Sequence, residues 1–326
     1  MDETLGVLAH HGGLVVERPE LTVGIVRAVS RPTWFELELL ARRPLDRRNA
    51  SERQADIRAG RGAPPAAPRR LLPPFDEGVD LRVGWLDDDG RAHWEFASSW
   101  SSSSGDHFEG THGPSLQAAL RFPPLFDHVS VVLAWPEIGF AETVVELSLP
   151  DRATVERDTV SIWDAPLRAR PAPGSLRHHI GADPFEELAV EAGRAVAVPQ
   201  VLSRGEDAAV VLTRLTAIGD LLSLEVLSVA VEARAQAAAA GGFPPVRDGA
   251  ERPHTHRRGA SIAVLHDRDA TWVPPQGGTS SGGDRSFRST VEFTPRRPEG
   301  TVLDLLVAWP AAGLPDVCVA VPLSEH

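Results

Sequence analysis

Two imidazoles and a carboxylate fall within six residues at His107-Phe108-Glu109-Gly110-Thr111-His112. Zinc accepts nitrogen and oxygen donors, so His107, Glu109 and His112 make a candidate three-ligand set. The spacing is not the i, i+4 pair of a helical His-Glu-x-x-His motif, and Gly110 and Gly113 place the group in a loop. An exposed polar loop is the plainer reading of the same residues.

A second chemistry is stacking. Trp100 and Phe108, with Trp94 nearby, stand among Ser, Asp and His residues between 98 and 115. Aromatic faces beside hydroxyls suit a sugar or small molecule, and ligand sites favour loops on a rigid scaffold. Trp94 has a counterpart at Trp272, which points to a core role instead. Asp87-Asp88-Asp89-Gly90 resembles the opening of a calcium loop but lacks the downstream glutamate, so a hairpin turn explains it. His178-His179 and His254-Thr255-His256 read as exposed segments. Cys318 has no basic neighbour in sequence to lower its pKa and is not a nucleophile candidate. Nothing matches a P-loop, a dinucleotide fingerprint or a Gly-x-Ser-x-Gly elbow, so no cofactor is expected.

The elements that would position such groups are short strands. Trp34-Phe35-Glu36-Leu37-Glu38-Leu39 alternates with period two, placing Phe35, Leu37 and Leu39 on one face. Residues 222–226 repeat that pattern, and Arg27 falls on Arg214 in the same register. The clearest repeat is Val131-Val132-Leu133-Ala134-Trp135-Pro136, which returns as Leu305-Leu306-Val307-Ala308-Trp309-Pro310, with Gly139 matching Gly313. Six of nineteen aligned positions are identical, which points to an internal duplication. The expected architecture is all-β: two homologous β-sandwich domains at 1–150 and 196–326, joined by a linker at 151–195. One short helix is expected in that linker, started by Asp183-Pro184 and stopped by Gly193. The stretches 42–76 and 235–258 lack periodicity and read as long loops, as do the Gly/Ser-rich 98–115 and 276–289.

Composition narrows the function classes. A net charge of −12 argues against nucleic acid, which needs a basic face. The chain has no lysine, so its arginines reflect a compositional bias and not selection for anion binding. A single cysteine suits a reducing compartment, no apolar run approaches bilayer length, and the N-terminus lacks a signal-peptide pattern. A cytoplasmic protein with no membrane partner is expected.

The paired strand, Asp/Gly hairpin, Gly/Ser-rich loop and terminal Trp-Pro-x-x-Gly hairpin are carried here by 83–94, 101–105 and 131–146. Together they resemble a family of uncharacterised proteins from GC-rich Gram-positive bacteria. The chain departs from that pattern at Leu120-Arg121-Phe122-Pro123-Pro124, where a Trp-x-x-Pro segment is usual. The resemblance implies the sandwich fold and brings no activity. The leading expectation is therefore a non-enzymatic protein acting through contact with an unidentified protein partner or with itself. Trp34 and Trp100 are the expected exposed anchors, since aromatic residues dominate interface energies. A carbohydrate or small-molecule module using 98–115, with Trp100 and Phe108, comes second. A metal-dependent hydrolase using His107, Glu109 and His112 comes third.

Overall fold

The 34–39 alternation becomes the Phe35–Arg42 strand, with Phe35, Leu37 and Leu39 inside. The computed structural model describes residues 3–60, 66–73, 80–103, 112–181, 188–240, 259–283 and 285–324. The described chain is mostly β-strand and divides into two units. The first comprises Val7–Asp158 and Glu187–Arg194; the second comprises Met1–Gly6, Thr159–Glu186 and Ala195–His326. The stretch 151–195 is thus shared between them.

In the first unit one sheet runs in the order Val7–His10, Thr22–Ser30, Phe35–Arg42, Ser115–Phe122, Ser99–Ser103, and Gly13–Glu17 also pairs with Thr22–Ser30. A second sheet runs Phe140–Ser148, His128–Trp135, Arg82–Leu86, Ala92–Glu95. Their apolar rows meet in one core that joins Phe35, Leu37 and Phe122 to Val131, Leu133 and Phe140. The second unit builds one sheet around Ala208–Ile218, Leu221–Val231 and Ser286–Phe293. Its other sheet is built around Leu314–Pro322, Val302–Trp309 and Ser261–His266. They share a core containing Leu222, Leu224, Phe293, Leu305 and Trp309.

The same local devices appear in both units. After Trp135 and after Trp309 the chain makes one 3-10 turn and reverses at a glycine with positive φ, 82° at Gly139 and 71° at Gly313. Proline can open that turn because it needs no donor there, and glycine alone reverses it without strain. Each unit also has a ladder irregularity beside an arginine: Arg27 pairs with Glu38 after one bulge, and Arg214 with Glu225 after the other.

Extended segments cover the outer sheet faces. In the first unit the Glu142 carboxylate accepts the backbone N–H groups of Arg70, Leu71 and Leu72 at 2.8–3.0 Å. That lays Leu72 down buried and lets the Trp94 indole donate to the Leu71 carbonyl. In the second unit Arg170–Pro171 pairs with one sheet edge and Arg177–Ile180 with the opposite one. Ala172 and Leu176, between them, pack on the cluster that contains Trp272, Leu306 and Cys318.

Three expectations need correction. The 42–76 and 235–258 loops hold helices, Ala50–Arg58 and Glu232–Ala239. The first has a full capping box between Asn49 and Glu52, which satisfies otherwise orphaned N–H groups. The 98–115 loop contains the Ser99–Ser103 strand, and the 276–289 loop is mostly strand, within Pro275–Gly282 and Ser286–Phe293. Of the linker helix expected from Asp183 to Gly193, the described residues show a 3-10 turn at Val190–Ala192 with Gly193 extended, and the linker's described α-helix is Arg152–Asp158 instead. Residues 182–187, where the Asp183 start was expected, lie outside the described residues.

The 188–194 segment presses on the Thr22–Ser30 strand. A Cβ on Gly24 would stand 1.9 Å from the Glu191 carbonyl oxygen. Gly24→Ala is therefore expected to push the segment off and cost about 1–3 kcal/mol, measured by urea unfolding. A neutral result would mean that the segment is not seated there.

Candidate functional site

The Thr22–Ser30 and Phe35–Arg42 strands are joined by a tight turn, closed by the Arg31 amide donating to the Trp34 carbonyl. Trp34 follows the turn and Phe35 begins the buried row, so Trp34 takes the outer face. Across the next ladder Glu36 stands opposite Arg121. This register brings together charges that are distant in sequence.

Trp34, expected to be exposed, is half-buried, with two guanidinium groups over its ring. Arg121 lies 4.7 Å from the ring centroid and Arg31 lies 5.4 Å away. Such contacts are worth about 0.5–1 kcal/mol each at exposed sites. Glu36 holds Arg27 at 2.6 Å and Arg31 at 2.8 Å, while Arg27 also reaches Glu38 at 3.3 Å. Gln117 donates to the buried Glu38. Burial lowers the pKa of the Arg31 guanidinium, and Glu36 opposes that shift. Arg121 is exposed, and among the described residues no carboxylate pairs with it. The cluster therefore offers an exposed cation placed over an aromatic ring, beside strands tied by ion pairs.

The sheet carrying Trp34 ends at the Ser99–Ser103 strand. The main chain of Trp100 pairs there with Ala118. The Pro275–Gly282 strand ends the comparable sheet of the second unit, exposed along its whole length and without a charged residue. Exposed edges are usually guarded by charge, proline or bulges, because their unpaired backbone groups invite another strand. Here the guards are a proline at the first residue and a bulge beside it.

His107, Phe108 and Glu109 lie outside the described residues, and His112 is half-buried. Among the described residues no group of three His, Cys, Asp or Glu is placed to hold a metal. Asp87 makes the hairpin turn expected of it: one carboxylate oxygen accepts the Asp89 and Arg91 amides, and the other meets His93 at 2.8 Å. The His93 contact leads the causes that lower the Asp87 pKa. Cys318 is buried, and burial raises its thiol pKa. His178 stacks on Trp272, and His179 meets Asp269 at 3.0 Å. The Arg121–Trp34 pairing escaped sequence reading because only cross-strand register creates it.

No protein-family model matches the chain, and no curated protein does. Among solved structures, a conserved domain protein from Bacillus anthracis is 10% identical with a TM-score of 0.22, covering 92% of this chain and 77% of that one. The N-terminal periplasmic domain of ScsB from Proteus mirabilis is 11% identical with a TM-score of 0.21, covering 97% and 100%. Bovine butyrophilin is 10% identical with a TM-score of 0.19, covering 98% of each chain. Likenesses this low carry no argument. Among the described residues no helix is long and apolar enough to cross a membrane.

Proposed function

We propose that the chain is a pair of homologous β-sandwich domains, derived by internal duplication, that acts in the cytoplasm through protein–protein contact and not through catalysis. The matching turns at Gly139 and Gly313 and the matching bulges at Arg27 and Arg214 support the duplication. The resemblance to the GC-rich Gram-positive family belongs to the same proposal. The observation that carries the function is Arg121 lying on Trp34 beside Arg31. Tryptophan and arginine are the residues most enriched among interface hot spots, and a preordered guanidinium loses little freedom on meeting a carboxylate. The partner this surface fits is a protein face that presents Asp or Glu beside an apolar group.

The test is affinity capture from the native cell with the wild type, Trp34→Ala and Arg121→Glu. Each variant should keep its fold and weaken capture of one defined partner by about tenfold or more. Equal recovery of every captured protein by all three would overturn the reading.

A further inference from the structure

A cavity of about 310 Å³ opens in the second unit, where the Leu221 end of one sheet meets the Ser261–His266 and Asp269–Trp272 strands of the other. Its walls include Leu221, Val264, Val273 and Pro295. The volume falls at the small end of ligand sites, which are largely apolar clefts with a few placed polar groups. Among the described residues two ionisable side chains line it, His266 and Arg296, and no carboxylate does. Among those residues Arg296 is held only by an exposed pair with Asp220, 3.4 Å long, in which the two side chains are 85% and 80% exposed. Such a pair is worth little in water and releases the guanidinium at small cost.

We propose that this cavity binds a small aliphatic carboxylate. The hydrocarbon part lodges among Leu221, Val264, Val273 and Pro295, and the carboxylate lies at the mouth against Arg296 and His266. The charge selects the anion, and the aliphatic walls select the body. This site is independent of the Trp34 surface.

Hexanoate is the probe, titrated into the intact chain by calorimetry, with acetate and 1-hexanol as comparators. Hexanoate should bind saturably at one site, acetate should give no saturable heat, and hexanol should bind more weakly than hexanoate. Arg296→Gln changes an exposed residue and should weaken hexanoate by about two- to fivefold. Val273→Trp, which fills the cavity, should abolish binding. Methyl resonances of Val264 and Val273 in the unaltered protein should shift with hexanoate, and this readout stands even if Val273→Trp does not fold. Non-saturable hexanoate heat, equal binding of hexanoate and hexanol with no effect of Arg296→Gln, or unmoved methyl resonances would overturn the proposal.

Discussion

Glu191→Ala is expected to destabilise the first unit by about 3–5 kcal/mol, because it strands a buried guanidinium. Arg42 and Glu191 are 9% and 5% exposed and meet through two contacts, 2.6 and 3.2 Å. Arg42 also donates to the carbonyls of Gly113 and Leu188, so one residue ties together three separate stretches of the unit. Deleting the carboxylate removes its closest partner from a buried position. The pair as a whole contributes much less than its disruption costs, since both ions were desolvated to form it. The double variant Arg42→Met/Glu191→Leu should therefore recover most of the loss. Urea unfolding of the single and double variants measures both quantities. A single-variant loss below about 1 kcal/mol would show that the 188–194 segment is not clamped by this pair.

Trp309→Ala should cost the second unit a comparable amount, about 3–5 kcal/mol, by a different route. Trp309 is 1% exposed, the largest fully buried side chain in the molecule's described core, and its ring lies 6.1 Å from that of Phe287. Alanine would leave a void that rigid strands on both sides cannot fill. The Pro310–Ala312 turn and Gly313 fix the backbone that presents the ring, so collapse into the void would have to break that turn. Trp309→Phe should cost clearly less, since it keeps a ring in the same place. Thermal midpoints should follow by about 2–4 °C for each kcal/mol. Equal losses for alanine and phenylalanine would contradict the cavity account, since the buried indole nitrogen has no hydrogen-bond partner to lose among the described residues.

What the sequence shows depends on how local the cause is. Period-two alternation placed Phe35, Leu37 and Leu39 inside, and the repeated Trp-Pro and Gly spacing located the turns at Gly139 and Gly313. Those features arise within a few residues. The Arg42–Glu191 pair joins residues 149 apart, and no periodicity records such a partnership. Arg121 meets Trp34 only because Glu36 and Arg121 share a rung of the ladder. The Ser99–Ser103 and Pro275–Gly282 strands look like loops in the sequence because their Ser and Gly residues carry little strand signal, and their neighbours impose the pairing. The Ala50–Arg58 helix carried a legible sign, Asn49 followed three residues later by Glu52. It lacks an apolar stripe, and pattern reading therefore passes over it.

The claim that the Trp34 face meets a protein partner is tested most directly by a photo-crosslinking residue placed at Arg121, with the exposed Arg268 of the second unit as control. Irradiation in the native cell should yield one discrete adduct with another protein from position 121 and none from position 268. Absence of an adduct at 121, or the same adducts from both positions, would contradict it.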